Sequence, residues 1–155
     1  MKAPFDIAVA HQFFSAACFN AAWTLIDQPE RTADDNEKML ALAHASIWHW
    51  RERKDCLPRN LSIGYWQLSR VYSLIRHGER AQHYGQLCLE ISADEGPFFL
   101  AYAHESLARA AAILGEPGAM SEHLDRARQL AKMVKAADDR EQVLADLDTI
   151  ALRVA

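Results

Sequence analysis

Apolar residues recur at helical spacing along nearly the whole chain, and turn-forming residues divide them into segments. Apolar positions three and four residues apart are typical of an amphipathic α-helix whose apolar side faces a core. No segment shows the convincing alternation of apolar and polar residues that indicates a strand. The pattern therefore predicts an all-α chain.

Capping and helix-breaking residues set the expected limits of these helices. Thr32 with Asp35 predicts a capping pair at the second helix, and Gly96-Pro97 predicts the opening of the fifth. The last helix has one apolar side and an acidic opposite side, as a terminal cap requires. Seven helices are expected, over 5–26, from Thr32 to before Pro58, and over 60–77, 79–92, 97–114, 119–134 and 138–155.

An internal repeat with a period of 39 residues is the most informative pattern. Leu68 and Cys88 stand where Leu107 and Ala127 stand one period later. A repeat of this length indicates an array of helical hairpins, each of which buries its apolar side against its neighbours. A single domain is thus expected, with a divergent first hairpin at 1–57, hairpins at 58–92 and 96–134, and a capping helix at 137–155.

The repeat resembles a tetratricopeptide repeat in the spacing of its large and small residues. The two copies read Tyr65-x-x-Leu68-Ser69-x-x-Tyr72 and His104-x-x-Leu107-Ala108-x-x-Ala111. The period is longer than the usual length of about 34 residues, and Gly85 stands where a large residue is usual. The resemblance implies a right-handed array of antiparallel helical hairpins. Residues 44–50 and 66–72 are also similar to a group of bacterial repeat proteins of unassigned function.

The candidate binding surface lies on the third and fifth helices, on the side away from the hairpin core. Each residue advances about 100° around a helix, which sets Trp66 and Arg70 opposite core residues such as Leu68. The resemblance implies that this side of the helix lines a concave groove. With the equivalent positions one period later, the candidate groove residues are Trp66, Arg70, Tyr102, Glu105 and Arg109.

These residue types predict a protein or peptide partner, and they would also suit an acidic group on that partner. Arginine side chains suit carboxylate or phosphate, and aromatic rings supply flat apolar area at low entropic cost. One alternative is purely structural, with Glu105 paired to Arg70 or Arg109. Another is an enzyme or small-molecule sensor that joins His44 to Glu105 and the arginines, although no catalytic residue is assigned.

His44, His49 and Trp50 are secondary candidates for residues of a functional site. Five residues separate the two histidines by about 140° on a regular helix, so they cannot bind one metal ion together. We therefore expect no metal and no cofactor. The aromatic cluster formed by Trp48, Trp50, Tyr65 and Trp66 predicts a core seam or, alternatively, the interface of a homodimer.

Composition and charge narrow the classes of partner. The 155 residues are 50% apolar and carry a formal net charge of −4, which argues against non-specific binding of nucleic acid. Cys18, Cys56 and Cys88 show no metal-binding or disulfide spacing. No apolar run approaches the length of a membrane span. A cytoplasmic protein with neither a nucleic-acid nor a membrane partner is expected.

Overall fold

The computed structural model describes residues 4–151, and these residues form seven α-helices and no β-strand. In chain order the helices are α1 Ile7–Ile26, α2 Ala33–Arg51, α3 Pro58–Leu74, α4 Gly78–Ile91, α5 Pro97–Leu114, α6 Pro117–Ala131 and α7 Ala137–Ala151. The prediction of an all-α chain is confirmed. Within the described range, no helix combines the length and the apolar character needed to cross a membrane. The ends of the expected first hairpin and capping helix, 1–3 and 152–155, lie outside the described residues.

Side-chain caps explain where the first two helices begin. Asp6 accepts a hydrogen bond of 2.8 Å from the backbone N–H of Ala8, so α1 begins at Ile7 rather than at residue 5. At α2 the side chain of Thr32 accepts from the N–H of Asp35, and the Asp35 carboxylate accepts from the N–H of Thr32. This reciprocal capping box is the one that the sequence predicted.

The helices α3 and α5 end in the same kind of turn, one repeat apart. In each turn a backbone N–H donates over 2.9 Å to the carbonyl five residues earlier, from His77 to Tyr72 and from Glu116 to Ala111. The preceding residue takes a left-handed conformation, with φ of 61° at Arg76 and 73° at Gly115. This Schellman turn ends α3 at Leu74, three residues before the expected end.

The seven helices pack in two layers. The helices α1, α3, α5 and α7 each contact the next of this set, and we call them the odd-helix layer. The helices α2, α4 and α6 pack against their neighbours in the chain. Met39 and Leu68 are fully buried in a core cluster of the first hairpins, and Leu147 is fully buried in another cluster formed by α5, α6 and α7.

Gly85 has a packing role at the contact between α4 and α5. A Cβ atom at this position would lie 2.9 Å from Cδ2 of Leu107. A larger side chain would therefore require the Leu107 side chain to shift. The glycine at position 85, where a large residue is usual, thus fits a close approach between consecutive hairpins.

Candidate binding site on the odd-helix layer

An apolar cavity of about 340 Å³ opens on the odd-helix layer between α1, α3, α5 and α7. Six aromatic side chains border it, namely Phe19, Trp23, Trp66, Phe98, Phe99 and Tyr102. The ring of Trp66 packs between Trp23 and Tyr102, with centroid distances of 5.4 and 5.3 Å. We call this the aromatic cavity. Its apolar lining is typical of sites that accept a ligand or a partner side chain.

A buried carboxylate anchors the wall of the aromatic cavity. Glu105 is 1% exposed and accepts a hydrogen bond of 2.8 Å from Nε1 of Trp66. It also accepts from Nε of Arg109, and Nη1 of Arg70 lies 4.0 Å from Oε1 of Glu105. Such a buried charge is tolerated only when it is paired and hydrogen-bonded. The four side chains thus form one connected polar network.

Helix α7 adds further hydrogen bonds to this network. Nη2 of Arg109 donates to Oγ1 of Thr149 over 2.7 Å and to the carbonyl of Asp146 over 3.0 Å. The hydroxyl of Tyr102 donates to the Asp146 carboxylate over 2.8 Å. Burial, together with the hydrogen bond to Asp146, raises the pKa of Tyr102 and keeps its phenol protonated.

A second cavity, of about 180 Å³, lies where α3 and α5 end. Its polar border consists of Arg70, Ser73, Arg76 and Arg109, and Ile150 of α7 adds an apolar contact. We call this the arginine cavity. It lies on the same layer as the aromatic cavity, farther along α3 and α5.

The structure brings the five main candidates of the sequence together: Trp66, Arg70, Tyr102, Glu105 and Arg109. Their exposure differs from the expected open groove, because α7 covers the relevant side of α5 and leaves Arg109 only 6% exposed. The sequence did not indicate Trp23, because the first hairpin has no clear register with the repeat. It also did not indicate Arg76, because that position was expected within helix α3.

The secondary candidate His44 lies in a different set of contacts. Its Nε2 atom is 3.0 Å from the hydroxyl of Tyr72, and its ring centroid is 5.7 Å from that of Tyr84. Burial lowers the pKa of His44, so the neutral imidazole is favoured. These contacts belong to α2, α3 and α4, and they do not bring His44 to Glu105.

His49 and Trp50 lie near the start of the array. Nδ1 of His49 is 2.9 Å from Nδ1 of His11, and the guanidinium of Arg53 lies 3.9 Å from the Trp50 ring centroid. Several large apolar side chains of this region are exposed: Phe5, Ile7, Val9, Phe13, Phe14 and Trp48. The homodimer predicted from the cluster Trp48, Trp50, Tyr65 and Trp66 stays a prediction.

A second histidine pair joins α5 to α6. Nδ1 of His104 lies 2.9 Å from Nδ1 of His123. Burial lowers the pKa of His104 to about 4, and the charges of His123 and Arg126 act in the same direction. Burial also lowers the pKa of His123. Both imidazoles are therefore neutral in the folded protein at pH 7.

We expect the protein to lose stability as the pH falls from about 6.5, the pKa of an unfolded histidine, towards 4. The unfolded chain binds protons in this range that folded His104 does not bind, so acid favours unfolding. Urea unfolding at pH 7.5 and pH 5 measures the effect. His104→Asn should reduce the difference between the two midpoints. An unchanged midpoint at pH 5 would contradict the prediction.

In the part of the chain that the structure describes, no group of three His, Cys, Asp or Glu residues is arranged to hold a metal ion. A scan against protein-family models, a search of curated proteins and a search of solved structures each gave no match. The function is therefore inferred from the geometry of the odd-helix layer.

Proposed function

We propose that this protein is a binding scaffold that holds a peptide segment of a partner protein against the odd-helix layer. The observation that carries the proposal is the aromatic cavity of about 340 Å³. A cavity of this size accommodates one or two large apolar side chains, and its aromatic rings offer contact area with few rotatable bonds. The partner segment would thus be anchored by an apolar residue.

The polar network behind the cavity supports this function by fixing the rings in advance. Trp66 is held by Glu105 over 2.8 Å, and Tyr102 is held by Asp146 over 2.8 Å. A site whose side chains are already ordered loses less conformational entropy when a partner binds. Glu105 and Arg109 therefore act in this proposal as residues that position the binding surface.

A right-handed, tetratricopeptide-like array is part of the same proposal. The period of 39 residues and the successive contacts between α1, α3, α5 and α7 support it. Stacked hairpins present one continuous concave surface, which suits an extended peptide. An enzyme or sensor pocket built on His44 is not proposed, because His44 contacts Tyr72 and Tyr84 instead of Glu105. A cytoplasmic location stays a prediction from the sequence.

Ile63→Glu tests the proposal, because Ile63 borders the aromatic cavity and is 38% exposed. Peptides selected from a display library on the parent protein should share a large apolar residue. Fluorescence polarisation should show that Ile63→Glu binds these peptides at least about tenfold more weakly, a loss of about 1.4 kcal/mol. The glutamate places a charge where an apolar side chain would bind, and it leaves the buried core intact.

Met133→Glu is the matched control, because Met133 is 65% exposed and lies after α6, outside the aromatic cavity. This variant carries the same added charge and should bind the peptides as the parent does. The proposal fails if the library yields no shared apolar residue. It also fails if Ile63→Glu, shown to be folded by circular dichroism, binds as tightly as Met133→Glu.

A further inference from the structure

The arginine cavity concentrates positive charge in a small, partly open space. Arg70, Arg76 and Arg109 all border its volume of about 180 Å³. Glu105 pairs with two of them, Arg109 directly and Arg70 at 4.0 Å. Three guanidinium groups at one cavity carry many N–H donors. A phosphate group offers more acceptor oxygens to such donors than a single carboxylate does.

Ser73 adds a hydroxyl group to the border of the cavity. Its Oγ atom is buried and has no hydrogen-bond partner among the described residues. A buried hydroxyl without a partner costs free energy, which a bound acceptor group would recover. A phosphate oxygen is such an acceptor, and it can bind a guanidinium group at the same time.

Arg76 holds a backbone conformation that favours glycine. Its φ is 61°, and the equivalent position one repeat later is Gly115 with a φ of 73°. The left-handed conformation is costly for a residue with a Cβ atom, so glycine would suit this turn better than arginine. An arginine in this conformation points to a role for its side chain, and Arg76 is one of the residues that border the cavity.

We propose that the arginine cavity binds the phosphoryl group of a phosphate monoester. Arg76 and Arg70 supply charged donors, Ser73 supplies a hydroxyl donor, and Arg109 adds charge while Glu105, Asp146 and Thr149 hold it in place. This site offers charged and hydroxyl donors, whereas the aromatic cavity has an apolar lining. It does not require that the proposed peptide binding occur.

Titration with inorganic phosphate tests the site, followed by isothermal calorimetry at pH 7.5 and constant ionic strength. We expect saturable binding of one phosphate per chain, and binding of acetate at least about tenfold weaker, because acetate has half the charge and fewer acceptor oxygens. Arg76→Gly should weaken phosphate binding at least fivefold and should not lower the urea midpoint. This combination arises because the variant removes a ligand group and relieves the backbone at once.

Arg126→Ala is the charge-matched control, since Arg126 is exposed on α6 and lies outside the arginine cavity. It should bind phosphate as the parent does, and so should Ile63→Glu, which separates this site from the aromatic cavity. The proposal is overturned by a lack of saturable binding or by equal affinity for acetate. It is also overturned if Arg76→Gly lowers stability and leaves phosphate binding unchanged, which would make Arg76 a stabiliser of the helix end.

Two further probes determine whether the phosphoryl group belongs to a phosphorylated partner or to a small phosphate ester. Free phosphoserine and a short peptide with an internal phosphoserine carry the same group. Tighter binding of the peptide assigns the site to a phosphorylated partner, and equal or weaker binding of the peptide assigns it to a small phosphate ester. Both results support the phosphoryl site, and failure of both probes to compete with inorganic phosphate contradicts it.

Discussion

Replacing Glu105 by alanine is expected to lower the free energy of unfolding by about 3–5 kcal/mol, because it removes one partner from a buried ion pair. The remaining Arg109 is 6% exposed and would keep its charge in the protein interior. The indole N–H of Trp66 would also lose its acceptor.

Urea unfolding followed by circular dichroism measures this change. Glu90→Ala is the control, because Glu90 is exposed near the end of α4, and this change should alter stability by no more than about 0.5 kcal/mol. A loss below about 1 kcal/mol for Glu105→Ala would contradict the network described above. Such a result would mean that the guanidinium groups of the network find other acceptors in the variant.

Leu147→Ala is expected to lower the free energy of unfolding by about 2–5 kcal/mol, because it leaves a cavity at a fully buried position. Leu147 is 0% exposed and packs in the cluster that joins α7 to α5 and α6. Loss of this contact loosens the helix that covers Arg109. Amide hydrogen exchange should therefore show reduced protection along α7 together with the lower urea midpoint.

Leu57→Ala is the matched control, since Leu57 is 50% exposed at the start of α3. We expect it to cost less than about 1 kcal/mol and to leave exchange along α7 unchanged. Equal losses for the two leucine variants would mean that α7 contributes little to the stability of the array. In that case the polar contacts of α7 alone would keep Arg109 buried.

Local signals predicted most of the helices, because helix limits depend on nearby residues. The capping box of Thr32 and Asp35 fixed the start of α2, and Gly96-Pro97 fixed the start of α5. The end of α3 was placed three residues too late, because arginine is a poor sequence signal for a left-handed turn. A glycine at position 76 would have indicated the turn, as Gly115 did one repeat later.

The repeat also predicted that Trp66 and Glu105 occupy equivalent places in neighbouring hairpins, and the two side chains are in fact hydrogen-bonded. Helical periodicity gives the side of a helix on which a residue lies, but it does not say what covers that side. The burial of Arg109 by Thr149 and Asp146 depends on how α7 folds back on α5. Contacts of this kind are set by the tertiary packing, which no local pattern of α5 encodes.

The contact between Trp66 and Glu105 also bears on how α5 is aligned with the rest of the protein. Five of the ten buried residues of α5 are alanine, namely Ala101, Ala103, Ala108, Ala110 and Ala111. Small side chains make a smooth helix surface, against which neighbouring helices could slide or rotate at little cost. A buried carboxylate has its partners in only one alignment, and any shift would leave a charge unsatisfied. Glu105 thus selects one register of α5 against α3 among several that apolar packing would permit.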